Sequence, residues 1–428
     1  MEQSTIALII VAITLALYAT EIIPIVVTAI FSMASMVLTG IITPAQGLSG
    51  FSNTASILGL SAMIIGEALA ASGATELMSV KLHKMAKLSK RSFNTLLCAI
   101  SAALSACLNS LAIILIMMTV VDGIIVKSNY KFNRRESYMP VAVGSSIGGA
   151  ISLAGSSSVL TACAVYNQHV GYDAIKFFTP AILAVPATIG ALIFYATIGT
   201  KLSEKWFNFE EPPVALSNNK YFQAGDDEKL GKVPKKVYIS LGIFTTCALL
   251  WVMTDLNLAI VGLLGACACF LTGCIKPETA FSRMSWSSLI VLAASLGFAS
   301  GVHESGADLI IADFIIKICG PLSQSAFGMF NVILLLTIIL TNIMSNTASA
   351  AIVAPIAIII AQTKDIDAML WCIAVGVGAN CAVCTPIGCA NMTVLLPAGY
   401  RFKDFVKPGL CICFIGMLLM SVTYIIVA

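Results

Sequence analysis

Long apolar stretches alternate with short polar punctuation along nearly the whole chain. A helix needs about 20 apolar residues to cross a bilayer, and the pattern predicts spans at 5–20, 23–43, 54–71, 138–165 and 176–200, then at 237–254, 256–274, 286–302, 369–393 and 405–427. Two further apolar segments, about 93–121 and 322–360, are too long for one span and are broken in the middle. The first reads LSACLNSLAIILIMM from Leu104 to Met118, with Ser105, Asn109 and Ser110 at the break. The second reads LTNIMSNTASAAIVAPIA from Leu340 to Ala357, with Thr341, Asn342, Ser345, Asn346 and Thr347. Polar backbone at membrane depth survives only where it is buried in protein or lines a wet cavity. Both segments are therefore predicted to be re-entrant hairpins whose polar tips form a site.

Composition agrees with an all-α polytopic membrane protein. Of 428 residues 58% are hydrophobic and 11% charged, against about 25% charged in soluble domains; the mean hydropathy is +0.96. The apolar start at Ile6 follows Glu2 without a basic region, so no cleavable leader is expected. The net charge of +3 sits in short loops and gives no reason to expect a nucleic-acid partner. The 14 cysteines, including the Cys381/Cys384 pair, are scattered through apolar segments and read as reduced packing residues. The histidines, His83, His169 and His303, fall in different predicted loops or arms with no catalytic motif, so an enzyme is not expected. Glu67 and Asp122 read as interfacial acids, near a span end and a hairpin mouth; a proton-coupled carrier would need one of them.

Lys and Arg set the orientation. The segments 81–91, 127–135, 201–236, 276–283 and 401–407 hold 21 of the 24, which places them inside and both termini outside. The halves also repeat. Ala71-Ser72-Gly73-Ala74 matches Glu304-Ser305-Gly306-Ala307, and Ala154-Gly155-Ser156 matches Ile387-Gly388-Cys389, both at an offset of 233; Thr20-Glu21 matches Thr254-Asp255 at 234. Each half has an odd number of spans, so the second enters from the opposite face. The predicted organisation is an inverted repeat of five spans plus one hairpin each, over 1–200 and 237–428, joined by a cytosolic linker at 201–236. Residues 76–90 and 308–319 are expected to lie as amphipathic helices in the interface.

At each tip the arriving arm ends in free carbonyls, which suit a cation, and the departing arm begins with free N–H groups, which suit an anion. Asn109 and Asn346 tolerate turn geometry and offer both a donor and an acceptor. Neighbouring hydroxyls, Ser105 and Ser110 in the first tip and Thr341 and Thr347 in the second, add ligands. Oxygen-only donors favour Na⁺ over a transition metal. Each hairpin is followed by a further interruption, Gly144-Ser145-Ser146 with Gly148-Gly149 and then Gly155 to Ser158 in the first half, and Pro386 to Asn391 in the second.

Over nearly the whole chain these residues resemble the divalent anion–sodium symporter family, within the ion-transporter superfamily. The resemblance includes Thr20 to Pro24, Gly50-Phe51-Ser52-Asn53, Ser72-Gly73 and both hairpins. The family's Ser-Asn-Thr tip is intact as Ser345-Asn346-Thr347; the first tip reads Leu108-Asn109-Ser110, so Leu108 stands in place of a hydroxyl. The resemblance implies substrate contacts from Asn109, Ser110, Asn346 and Thr347. It implies sodium sites that include Ser105, Asn109 and Gly155 on one side and Thr341, Asn346 and Gly388 on the other. It further implies an elevator mechanism carrying Na⁺ with a dicarboxylate, tricarboxylate or sulfate across the plasma membrane, a homodimer, and one N-terminal span fewer than family members usually have; the alternative is a proton-coupled carrier or an anion exchanger of the same superfamily.

Overall fold

The computed structural model describes every residue except 1, 21, 74–84, 86, 129–130, 210–233, 387 and 428. The described residues are helical throughout, without strands. In the first half α1 (Gln3–Thr20), α2 (Ile25–Leu38), α3 (Pro44–Leu48) and α4 (Thr54–Ala71) precede α5 (Lys90–Ser105), α6 (Ser110–Lys127), α7 (Arg134–Gly148), α8 (Ser157–Val170) and α9 (Ala181–Trp206). The second half contains α10 (Lys235–Met253), α11 (Leu258–Leu271), α12 (Pro277–Arg283), α13 (Trp286–Glu304) and α14 (Ala307–Cys319). It ends with α15 (Ala326–Thr341), α16 (Asn346–Gln362), α17 (Met369–Ala379), α18 (Ala390–Thr393) and α19 (Phe402–Val427).

Packing crosses the sequential halves. One group, the frame, joins α1–α4 to α10–α13, chiefly through α2 on α13 and α4 on α11. The other group joins α5–α9 to α15–α19, with α5 on α7, α8 on α16 and α17, and α9 on α19. It carries both broken segments. The rims are apolar and exposed, as with Leu38, Met253, Leu264, Leu271, Phe414 and Ile426; a water-facing surface does not present so much contiguous apolar area.

Several expected elements differ in extent. Six described helices are long and apolar enough to cross a bilayer, and α2 and α11 are shorter than the spans expected at 23–43 and 256–274. Pro24 starts α2, and it ends at Thr39 before Gly40, whose φ of 72° turns the chain toward a Thr43–Gln46 capping box. The expected span 138–165 is two helices, α7 and α8, parted at 149–156. The interruption read at Gly144 begins later, because Gly144 and Gly148 are packing glycines. A Cβ at Gly144 would lie 2.2 Å from the Cys98 carbonyl oxygen, and one at Gly148 would lie 2.3 Å from Ala102 Cα, both on α5. Such pairs of small residues four apart allow backbones to meet inside a membrane. The expected span 369–393 opens at Asn380, ahead of Pro386, because the Asn380 side chain donates back to Gly376 O at 3.0 Å. The first six residues of the expected linker continue α9, with Ser203 buried. Residues 210–233, His83 and most of the expected helix over 76–90 lie outside the described residues.

Candidate functional site

At the first break, α5 ends at Ser105 and α6 starts at Ser110. Asn109 caps α6: its Oδ1 accepts from Leu111 N at 3.0 Å and Ala112 N at 3.3 Å. Behind it Ser110 Oγ lies 2.6 Å from Ser105 Oγ, 3.2 Å from Ser145 O and 3.3 Å from Gly155 O. Four oxygens thus share two hydroxyl protons. Gly155 closes the cage, since a Cβ there would lie 2.4 Å from both Gly149 O and Ser105 O. Leu108 is 6% exposed and packs in the core, and the hydroxyls present at this tip are those of Ser110 and Ser105.

The second break runs from Thr341 to Asn346. Ser345 caps α16 by accepting from Ala348 N at 3.3 Å, which leaves Asn346 free for another task. The single proton of Thr341 Oγ1 lies between Ala379 O at 2.7 Å and Asn346 Oδ1 at 3.0 Å. Gly388 closes this cage; a Cβ there would lie 1.9 Å from Thr341 O and 2.9 Å from Met344 O. Asn342 pins the tip to the opened chain, accepting from Cys384 N at 2.9 Å while its carbonyl accepts from Thr385 Oγ1 at 2.6 Å.

Both tips face one cavity of about 710 Å³, lined by Asn109, Ser110, Gly155, Ser345, Asn346, Thr347 and Gly388 among others. Ser105 and Thr341 are fully buried behind it. The N-termini of α6, α8 and α16 point their first turns at the same space, and Ser157 Oγ joins Thr347 Oγ1 at 2.8 Å. The repeats are stitched across it: Asn391 donates to Ser146 Oγ at 2.9 Å, and Asn380 meets Ser156 Oγ at 3.0 Å and Ser158 Oγ at 2.9 Å. Pattern reading missed Asn380, whose only signal is a polar residue inside an otherwise apolar run.

The frame wall of the cavity is formed by Ala62, Met63, Gly66 and Glu67 of α4 and by Arg283 to Val291. Glu67 is therefore a cavity residue rather than an interfacial one, held there because α4 turns its last turns toward the tips. Among the described lining side chains it and Arg283 are the only acidic and basic ones. Asp122 instead accepts from Arg134 Nε at 2.6 Å, Arg134 Nη2 at 2.7 Å and Tyr138 Oη at 2.5 Å, a bidentate structural pair. The histidines also depart from expectation: His169 and His303 meet edge-on with ring centroids 6.0 Å apart, because α8 and α13 end side by side.

The family model described as citrate transporter matches residues 15–376. The chain belongs to the citrate transporter family. That family is one of transporters, and six described helices are long and apolar enough to cross a membrane. An uncharacterized transporter of Synechocystis, sll0640, is 28% identical over 155 residues, 36% of this chain but 25% of that protein's length. The sodium-dependent dicarboxylate transporter SdcS of Staphylococcus aureus is 22% identical over 415 residues, 89% of this chain and 77% of SdcS. The crystal structure of the Alcanivorax borkumensis YdaH transporter, at 14% identity, shares the fold with a TM-score of 0.59 over 90% of this chain and 86% of that one.

Proposed function

We propose that the protein is a secondary transporter that carries a citrate- or dicarboxylate-type anion with Na⁺, the tip-bearing group sliding against the frame as an elevator. The observation that carries this reading is the meeting of two helix breaks in one cavity, with an uncharged oxygen cage behind each. Helix N-termini and the amides of Asn109, Asn346 and Asn391 can hold carboxylates without a lining cation on the tip side. Each cage holds more lone pairs than protons and is closed by a glycine, which fits a small hard cation. Na⁺ would be held by Ser105, Ser110, Ser145 and Gly155 oxygens in one cage and by Thr341, Asn346 and Ala379 oxygens in the other, and would supply positive charge beside the anion. Its binding requires the hydroxyl protons to turn away from the cage. The cargo carboxylate then meets the uncapped first-turn N–H groups of α8 and α16.

The presence of Glu67 in the cavity favours proton coupling as a second reading, with Glu67 as the titrating group. Uptake of labelled citrate and succinate into proteoliposomes under separate Na⁺ and H⁺ gradients decides between them. Accumulation that follows the Na⁺ gradient and survives Glu67→Gln supports the first. Accumulation that follows only the H⁺ gradient and vanishes in that variant supports the second, and neither anion accumulating under either gradient overturns both.

A further inference from the structure

A second cavity, of about 300 Å³, lies at the face opposite the Lys/Arg-rich one. Ala299, Ser300, His303 and Glu304 of α13 line it with Asp308 of α14, Gln168 and His169 of α8, and Pro355, Ile358 and Ile359 of α16. The internal repeat explains its position. At the offset of 233, Gly66 and Glu67, which wall the large cavity from the frame, correspond to Ala299 and Ser300, which wall the small one from the same frame. The small cavity is thus the counterpart of the large one on the frame, with less than half its volume.

Across the seam between the two packing groups, one polar bond and the His169–His303 ring contact meet here, each flanked by a bond within its own side. Gln168 Nε2 donates to Ser300 Oγ at 2.8 Å. His303 Nδ1 meets Asp308 Oδ2 at 2.8 Å, and His169 Nε2 lies 2.9 Å from Gln362 Nε2, so that imidazole nitrogen accepts and the ring is neutral in this arrangement. The titratable groups around the pair are Glu304 on α13 and Asp308 on α14; α16 faces it with uncharged side chains, and the described part of α1, which packs on α13 and α14, carries no charged side chain.

We propose that the small cavity is the closed outer entrance of the transport path and that His169 and His303 form its proton-sensitive latch. This rests on the alternating-access reading above. A proton on His169 sets a positive charge against the imidazole of His303 across the seam, and it frees Gln362, which shares the tip-bearing group with α8. The α8 and α16 ends then part from α13, and the entrance opens.

Two measurements test this with the full chain. Amide hydrogen exchange over 299–304, corrected for the intrinsic effect of pH, should rise between about pH 7.5 and 5.5 in the wild type and not in His169→Gln/His303→Gln. The rise should be about threefold or more, a solvent-screened part of what two unit charges 6.0 Å apart produce. In proteoliposomes with a fixed interior pH, the wild-type to variant ratio of citrate uptake should change by a similar factor as the outside is acidified; protonation of the anion itself affects both chains equally. Exchange that responds to pH alike in both chains overturns the latch. So does a constant uptake ratio in working transporters, which leaves the transport reading intact. Proton-dependent exchange with no uptake of any anion keeps the latch and removes the transport reading.

Discussion

The two tip asparagines occupy matching positions and hold different bonds. Asn109 is a cap, and its oxygen is committed to the α6 backbone; Asn346 leaves capping to Ser345 and points its oxygen at Thr341. Asn109→Ala should therefore cost about 1 kcal/mol of stability as well as activity, whereas Asn346→Ala should abolish coupled uptake with the melting temperature nearly unchanged; uptake assays beside thermal melts separate the two. In the first cage Ser110 is the central oxygen. Ser110→Ala should raise the Na⁺ concentration for half-maximal uptake by on the order of tenfold, as expected for one lost bond to a charged partner. Leu108→Ser should not lower it, because Leu108 is packed in the core, and its loss should instead cost about 1.5–3 kcal/mol of burial. A Na⁺ titration of both variants decides whether the hydroxyl has moved within the tip or is missing from it.

At the scale of elements, the seam of α5 on α7 depends on glycines that look like helix breakers in the sequence. Gly148→Ala would push a Cβ to within 2.5 Å of the Ala102 carbonyl oxygen and should cost about 1–3 kcal/mol, read as a lower melting temperature. Gly242→Ala on α10, where a Cβ meets nothing within 4 Å, should be neutral or slightly stabilising and serves as the control. The same residues show what the sequence could reveal. Asn109 and Asn346 were legible because a polar cluster inside an apolar run has one cheap explanation in a membrane. Gly144 was misread because a glycine that admits a neighbouring backbone and one that ends a helix look the same without the neighbour. Asn380, the cavity position of Glu67 and the pairing of the histidines were out of reach for a related reason: Asn380 meets Ser158, Glu67 faces the cavity with Arg283, and His169 meets His303 only when the two halves interleave.

For the whole molecule, the frame helices that wall the two entrances match in sequence position, but the two entrances are chemically unlike. The wall facing the large cavity ends in Glu67 and Arg283; at the other face the position matching Glu67 is Ser300, beside two histidines. If the tip-bearing group moves and the frame stays, the cargo meets Arg283 only when the cavity is open toward the Lys/Arg-rich face. Arg283 is exposed and its attraction is screened, so its effect belongs on anion capture and release at that face more than on the bound complex. Arg283→Gln should then raise the half-saturating anion concentration several-fold, by about 1 kcal/mol or less, when anion is supplied from that face. The shift should shrink in high salt and be absent when anion is supplied from the opposite face. Initial rates in proteoliposomes of defined orientation give both values from one preparation. Equal shifts on the two sides would mean that Arg283 travels with the cargo, and the division into a fixed frame and a moving group would have to be redrawn.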